Sequence, residues 1–218
     1  VYGGFKGIVD GLAEMCADLS TPVVGGNVSL YNDSEAGPIP PTPTLAMVGT
    51  KAGYDAPPAA LSGEGKLLVV GNAGNALGGS EYLNAAGGSD AFPTLPKNPA
   101  ELVATVAEVA RDESTLATHD VSHGGLAVTL AELLTADTGA DVAVGDAVAV
   151  FDETPGRVVV ETTDPESVRE AFDGVAAVES LGKATADGAL SLTVGDETVE
   201  LESETVTDLR DVIAKTVE

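Results

Sequence analysis

The sequence predicts a layered fold of the α/β and α+β classes. Three observations lead to this prediction: strand and helix patterns alternate along most of the chain, apolar residues make up an ordinary 44% of the 218 residues, and acidic residues are unevenly spread. Runs of Val, Leu and Ala can bury a core, which excludes disorder as the state of most of the chain. We therefore expect one large or two small packed domains.

The negative charge divides the chain near residue 60. Residues 1–60 carry six acids and two bases, a net charge of −4, whereas residues 61–218 carry 29 acids and eight bases, a net charge of −21. The stretch 54–65, with two prolines and two glycines after Asp55, is typical of a linker. The sequence thus predicts two domains, 1–60 and 61–218.

Composition also limits the partners and the environment. Ten basic residues against 35 acidic ones leave no basic cluster to neutralise nucleic-acid phosphates. No apolar run approaches the about 20 residues that span a bilayer, so we expect no membrane segment and a cytoplasmic location. Scattered acids with a total charge of −25 are tolerable in concentrated salt, which predicts a salt-adapted protein. Cys16 is alone, which excludes an internal disulfide, and we expect it to be buried.

The first 60 residues predict one helix and several short strands. Apolar residues recur at helical spacing on one face between Phe5 and Leu19. The segments 23–24, 28–31 and 44–50 are apolar and are predicted to be strands, with a proline-rich loop before the last. Nothing precedes the helix to act as its partner sheet, so we expect the chain to be part of a longer protein.

From residue 61 onward, strand and helix patterns alternate. Residues 66–71 predict a buried strand, and a Gly-rich turn leads from it to a helix at about Ser80. The sequence Asn-Pro-Ala-Glu at 98–101 is typical of a helix start. The remaining predicted elements are, in order, a strand at 116–118, a helix at 125–134, a strand at 158–160, a short helix capped by Asp164, a hairpin at 190–201 turning at Gly195–Asp196, and an amphipathic helix at 206–217.

The segment 22–32, PVVGGNVSLYN, is the first candidate site. Its glycines, Gly25 and Gly26, let backbone N–H groups approach an anion closely. The Asn27 amide oxygen suits a hard cation such as Mg²⁺, and the Ser29 hydroxyl can bond a phosphate oxygen. The alternative is a tight strand-to-strand turn that binds no ligand.

Two further glycine-containing turns have a functional and a structural interpretation. Residues 71–79, GNAGNALGG, could hold a phosphate at a helix start or form a turn capped by Ser80, but they match neither a Walker A nor a dinucleotide motif. In residues 151–157, FDETPGR, an acid and Arg157 could grip a polar substrate or pair with each other. We favour the structural interpretation of both.

The segment 119–126, HDVSHGGL, holds the densest cluster of chemical groups. Neighbouring residues point apart, which argues against a catalytic triad of His119, Asp120 and Ser122. A metal site at His119 and His123 would need a helix there, but the helix begins only after the two glycines. Two interpretations stay open: Asp120 and Ser122 cap the helix, or Asp120 serves a nucleotide or Mg²⁺.

Together these segments resemble a family of purine-biosynthesis synthetases, the small type of phosphoribosylformylglycinamidine synthase subunit II. The similarity is to the second half of that subunit. Its members belong to the aminoimidazole ribonucleotide synthetase-like superfamily, which pairs an α+β N-terminal-type domain with an α/β C-terminal-type domain. The resemblance implies that residues 1–60 end a truncated N-terminal-type domain and residues 61–218 form a complete C-terminal-type domain. It runs in order through TPVVGGNVSLYND (21–33), PIPPTPTLAMVG (38–49), HDVSHGGLAVTLAE (119–132) and FDETPGR (151–157).

The resemblance implies an ATP-dependent carbon–nitrogen ligase. Its members use ATP and glutamine-derived ammonia to convert formylglycinamide ribonucleotide to the amidine, with ADP and phosphate as products. It implies that Gly26 contacts ATP, Asn27 binds Mg²⁺ and Ser29 contacts the substrate. It also implies an auxiliary site at which Asp120 binds Mg²⁺ and Ser122 contacts nucleotide. The implied partners are a preceding half of the same protein, a glutaminase subunit and a small accessory subunit.

Two alternatives stay open beside this interpretation. The chain could be a pseudo-symmetric scaffold half with a structural nucleotide and no direct catalytic role, or it could belong to another superfamily member such as aminoimidazole ribonucleotide synthetase. The family's catalytic His and first Mg²⁺ carboxylates have no counterpart in this chain, so we expect the chain alone to be inactive. Gly25 and His123 stand where the family commonly has Ser and Asp.

Overall fold

The structure, a computed structural model, describes residues 2–29, 33–35, 37–53 and 56–210. These residues form two compact units: residues 2–53 together with Asn98–Ala100, and residues 56–97 together with 101–210. Within the described ranges, no helix is long and apolar enough to cross a membrane. The domain boundary at residue 60 stays a prediction.

The first unit contains one long helix and one small hairpin. Helix α1 (Tyr2–Asp18) confirms the predicted helix. Two short strands, β1 (Asp33–Ser34) and β2 (Gly37–Pro38), pair antiparallel. Cys16, which we expected to be buried, is only half-buried because the apolar side of α1 stays partly open to solvent.

The strands predicted at 23–24 and 44–50 are wrong. Both stretches lack regular secondary structure, and Val24 and Val48 are 96% and 99% exposed. A strand needs a neighbouring backbone to which it can hydrogen bond, and in the described part of this unit only the short β1–β2 pair provides one. Of the strand predicted at 28–31, the first two residues are also irregular, and the last two lie outside the described residues.

The second unit is a layered sheet-and-helix structure, which confirms the predicted α/β and α+β class. Its elements are β3 (Lys66–Val70), α2 (Glu81–Ala86), α3 (Pro99–Val109), β4 (Thr115–Asp120), α4 (Gly125–Leu133), β5 (Gly139–Val144), α5 (Ala147–Phe151), β6 (Val158–Thr162), α6 (Pro165–Ala171), β7 (Val178–Thr185), β8 (Ala189–Val194), β9 (Glu197–Glu202) and α7 (Ser203–Arg210).

The strands form one seven-stranded sheet in the order β4-β6-β3-β7-β5-β8-β9. Neighbouring strands run antiparallel except for β5 and β8, which are parallel. Because side chains alternate along a strand, the sheet has a core on each face. Leu67 and Val69 of β3 face the core that includes Leu126 of α4, whereas Leu68 of β3 faces the core that includes Phe172.

Local signals set two helix starts and one hairpin turn as predicted, whereas β5, α5 and β7 were not predicted. Ser80 caps α2 and Asp164 caps α6, each by accepting a hydrogen bond from a first-turn N–H group. The β8–β9 hairpin turns at Gly195–Asp196. Strand β4 is longer than predicted and ends at Asp120. Residues 211–217 of the last predicted helix lie outside the described residues.

Buried Glu161 of β6 forms hydrogen bonds to residues 62 and 65 at the end of the predicted linker. Its carboxylate accepts hydrogen bonds from the Ser62 N–H at 2.7 Å, the Ser62 hydroxyl at 2.6 Å and the Gly65 N–H at 2.9 Å. Leu61 is buried in the neighbouring core. A buried carboxylate is stable only when such donors surround it. Residues 61–65, predicted to be linker, therefore pack as part of the second unit.

Candidate functional site

Gly26, Asn27 and Ser29 lie on an exposed segment of the first unit that has no regular secondary structure. Neither the Asn27 amide nor the Ser29 hydroxyl bonds to another described residue. Gly26 has a φ of +155°, and a Cβ atom there would meet nothing within 4 Å. The alternative interpretation, a strand-to-strand turn, is wrong about the first strand, because residues 21–24 form no strand. The polar groups of this segment are thus open to a ligand.

Asp120 and Ser122 lie where β4 leads into α4. The Ser122 hydroxyl donates a hydrogen bond to the Asp120 carboxylate. The Thr129 hydroxyl of α4 donates to the main-chain carbonyl of Asp120 at 3.0 Å, which holds the strand end against the helix. The Asp120 side chain is 69% exposed. The structure therefore presents this carboxylate to solvent on a fixed backbone.

Asp120 and Ser122 do not cap α4, so that interpretation is wrong. The N-cap is Gly124, with a φ of +81°, and no side chain caps the helix. Gly125 also has a positive φ, +65°. Two left-handed residues turn the chain sharply before the helix, a conformation that glycine adopts without strain. The Ser122 hydroxyl is consequently bonded to Asp120 and not to the first helix turn.

Glu153 accepts hydrogen bonds from residues in or near two glycine-containing segments, 71–79 and 119–126. Its Oε1 atom accepts hydrogen bonds from the Gly124 N–H and from the Glu81 N–H, each at 2.8 Å. Glu81 is the first residue of α2, so one carboxylate oxygen serves the starts of α2 and α4, where negative charge is favourable. The sequence pattern does not reveal this role, because an acid after a helix end does not identify partners 29 and 72 residues away.

The pairing that we favoured for Arg157 is wrong in its detail. The Arg157 Nη1 atom donates to the main-chain carbonyl of Asp152 at 2.8 Å. The Asp152 carboxylate instead accepts from the N–H groups of Asn75 at 3.1 Å and Thr154 at 2.7 Å. Burial lowers the pKa of Arg157, against the opposing effect of the negative charges of Asp152 and Glu179. These hydrogen bonds stabilise the loop 152–157. The Asp152 carboxylate is occupied by them and is not available to a substrate.

The Gly-rich loop 71–79 uses several of its N–H groups within the protein. A phosphate cradle needs such groups free. Two of their acceptors are carboxylates, and hydrogen bonds from Leu77 and Ala91 lower the pKa of one of them, Asp90. The structural interpretation of this loop therefore fits better. The N–H groups donate from Gly74 to the Thr154 hydroxyl, from Asn75 to Asp152, from Leu77 to Asp90 and from Gly78 to the Ala91 carbonyl.

His119 and His123 do not converge on a metal site. The Nδ1 atom of His119 lies 2.8 Å from the Asp120 carbonyl oxygen, and Nε2 lies 3.6 Å from Glu132. His123 is exposed in the turn. In the part of the chain that the structure describes, no group of three His, Cys, Asp or Glu residues could hold a metal ion. Single oxygen donors such as Asn27 and Asp120 fit Mg²⁺, which commonly takes its other ligands from water and phosphates.

Family models match both parts of the chain. The model described as AIR synthase related protein, C-terminal domain, matches residues 63–195, and the model for the N-terminal domain matches residues 2–50.

The chain is similar along its length to named relatives. It is 64% identical, over 100% of its length, to the phosphoribosylformylglycinamidine synthase subunit PurL of Natronomonas pharaonis. It is 63% identical, over 98% of its length, to the same subunit of Halorubrum lacusprofundi. The chain spans 31% and 29% of the lengths of these relatives. Both organisms are halophilic archaea, whereas the salt adaptation of this chain stays a prediction.

Solved structures share the fold. Thermotoga maritima PurL complexed with FGAR matches with a TM-score of 0.50 and 13% identity, covering 69% of this chain and 29% of that one. The same protein complexed with AMPPCP matches with a TM-score of 0.50 and 13% identity over 69% and 26% of the two chains. At this identity the likeness concerns the fold alone. The C-terminal family model covers more than half of the chain. The chain therefore belongs to the AIR synthase related protein family.

Proposed function

We propose that this chain is the C-terminal part of an ATP-dependent carbon–nitrogen ligase that converts formylglycinamide ribonucleotide to formylglycinamidine ribonucleotide. The observation that carries the proposal is the 64% identity, across the whole chain, to a subunit of phosphoribosylformylglycinamidine synthase. In this reaction the amide oxygen takes the γ-phosphoryl group of ATP and ADP leaves. Ammonia then forms the new carbon–nitrogen bond as phosphate departs.

The segment with Gly26, Asn27 and Ser29 would contribute to the reacting site. Gly26 would contact ATP through its backbone, because no side chain there obstructs the phosphates. The Asn27 amide oxygen would be one ligand of Mg²⁺, which when bound neutralises phosphate charge. The Ser29 hydroxyl would bond to the substrate. All three residues are exposed, and both side chains lack an internal partner among the described residues.

Asp120 and Ser122 would form an auxiliary nucleotide site, with Mg²⁺ at Asp120 and nucleotide at Ser122. The exposed Asp120 carboxylate and the fixed loop around Gly124 support this proposal. The site lies in the second unit.

The proposed reaction also implies partners. Ammonia derived from glutamine requires a glutaminase subunit, and we expect a small accessory subunit and the remaining part of the same protein. We expect the complex in the cytoplasm and expect this chain alone to be inactive.

The experiment is a steady-state assay of ADP formation by the full-length gene product that contains this chain, with an ammonium salt as the source of ammonia. Ser29→Ala is expected to raise the KM for formylglycinamide ribonucleotide about tenfold or more, since a hydrogen bond to a charged group contributes about 1.5–3 kcal/mol. The KM for ATP is expected to change little. Ser89→Ala is the matched control, because Ser89 is exposed in the second unit. A wild-type protein without substrate-dependent ADP formation would overturn the proposal, and equal kinetics of both variants would remove the role of Ser29.

A further inference from the structure

The second unit carries a stacked aromatic pair on its surface. Tyr82 of α2 and Phe151 at the end of α5 stack with ring centroids 4.8 Å apart and planes 27° apart. Phe151 is half-buried and packs against the core, whereas Tyr82 is 41% exposed. The chain has only four Tyr, four Phe and no Trp. Tyr82 is therefore an aromatic ring supported by Phe151 with part of its surface open to solvent.

This pair lies next to the loop of the proposed auxiliary site. Glu81, the neighbour of Tyr82, and Gly124, two residues after Ser122, donate to the same Glu153 oxygen. Because both nitrogens lie 2.8 Å from that oxygen, they lie within twice this distance of each other. Phe151 is close to the loop as well, since a Cβ atom on Gly125 would lie 2.8 Å from its main-chain carbon.

A nucleotide needs two kinds of contact. Its phosphates and metal ion need polar groups, which Asp120 and Ser122 offer, and its base needs a flat apolar surface. A base stacked on an aromatic side chain gains about 1–3 kcal/mol, largely independent of the base. An exposed Tyr held by a second aromatic ring loses little side-chain entropy on binding, because its rotation is already restricted.

We propose that Tyr82 is the stacking surface for the purine base of the nucleotide at the Asp120–Ser122 site. The inference rests on the proposed auxiliary site and adds a base-contacting residue to it. Stacking on Tyr82 also predicts that the ligand is a nucleotide and not inorganic polyphosphate, because only a nucleotide has a base that can stack on the ring.

The test uses Tyr82→Trp, which introduces the only Trp of this chain. ATP is expected to quench its fluorescence in molar KCl with Mg²⁺ present, and tripolyphosphate is expected to leave it unchanged. Val199→Trp is the control, because Val199 is 49% exposed on β9, at the opposite end of the sheet from β4. Its fluorescence should respond to neither ligand.

Calorimetry separates the inference from the proposal on which it rests. Tyr82→Leu, which keeps an apolar side chain against Phe151, is expected to weaken ATP binding about 5- to 150-fold, as 1–3 kcal/mol of stacking requires. Tyr82→Phe should retain the wild-type affinity. If Asp120→Ala weakens ATP binding while Tyr82→Leu does not, the stacking role is overturned and the auxiliary site stands. If neither Asp120→Ala nor Tyr82→Leu changes ATP binding by the full-length gene product that contains this chain, both are overturned.

Discussion

The two candidate sites differ in how the protein holds them. Asp120 ends strand β4 and Ser122 lies in the loop before α4, and hydrogen bonds from Thr129 to Asp120 and from Gly124 to Glu153 hold this connection in place. Asn27 and Ser29 lie on an exposed segment with no strand beside them among the described residues. The difference shows that a specific sequence motif does not organise its own backbone. A site becomes fixed when neighbouring elements provide partners, here Thr129 of α4 and Glu153 in the loop after α5.

The largest expected loss of stability comes from replacing Glu161 in the second unit. Glu161→Ala would leave the Ser62 and Gly65 N–H groups without their acceptor. Each unsatisfied group costs about 1–3 kcal/mol, so the free energy of unfolding should fall by about 2–6 kcal/mol. Urea denaturation of the second unit measures this loss. Glu197→Ala, at an exposed position of β9, is the control and should have almost no effect. Equal stability of both variants would contradict the role of Glu161.

A pair of glycine substitutions compares the two sites directly. Gly125→Ala places a Cβ atom 2.8 Å from the Val150 carbonyl oxygen at a φ of +65°. The left-handed strain of about 1–2 kcal/mol and the overpacking of about 1–3 kcal/mol should together destabilise the protein by about 2–5 kcal/mol. At Gly25 an added Cβ would meet nothing within 4 Å, so Gly25→Ala should cost less than about 0.5 kcal/mol. Thermal denaturation measures both, and equal losses would show that the loops are held alike.

Salt should affect the two parts of the chain unequally. Residues 61–218 carry a net charge of −21 and residues 1–60 only −4. The Debye length shortens from about 10 Å at 0.1 M salt to about 3 Å at 1 M, so repulsion among the acids weakens. We expect the melting temperature to rise by about 5–10 °C, equivalent to about 2–3 kcal/mol. Circular dichroism in a KCl series measures it, and a melting temperature independent of salt would contradict salt adaptation.

The smallest expected effect is a pH-dependent one in the second unit. Hydrogen bonds from the Thr185 hydroxyl and the Ala189 N–H lower the pKa of Asp187 in the turn between β7 and β8. A lowered folded-state pKa stabilises the protein above the unfolded value of about 3.9, and this contribution is lost as pH falls through the folded-state pKa. Asp187→Asn should therefore melt slightly below wild type at pH 6. The two melting curves should converge as the pH falls through the lowered pKa of Asp187, and a difference that grows in acid would contradict this assignment.

Sequence patterns were sufficient where neighbouring residues decide the structure. The caps at Ser80 and Asp164 and the turn at Gly195–Asp196 depend on residues a few positions apart, and all three are confirmed. The strand at 44–50 was predicted from apolar composition alone, but its backbone has no pairing strand among the described residues.

The candidate sites show the same limit. Residue types at 26–29 and 119–126 indicated phosphate and Mg²⁺ chemistry, and these assignments stay proposals. The bonds from Glu81 and Gly124 to Glu153, and the stacking of Tyr82 on Phe151, join residues that are distant along the chain. Such contacts depend on the topology of the sheet, which a local pattern does not encode.

The most direct test of the central claim is the Mg²⁺ dependence of turnover in the full-length gene product carrying Asn27→Ala. Asn72→Ala, at an exposed position of the Gly-rich loop, is the matched control. We predict that Asn27→Ala lowers substrate-dependent ADP formation at least about tenfold and shifts the Mg²⁺ requirement upward, because the metal loses an oxygen ligand. Turnover and Mg²⁺ dependence equal to those of the control would contradict the claim and favour a scaffold role for this part of the protein.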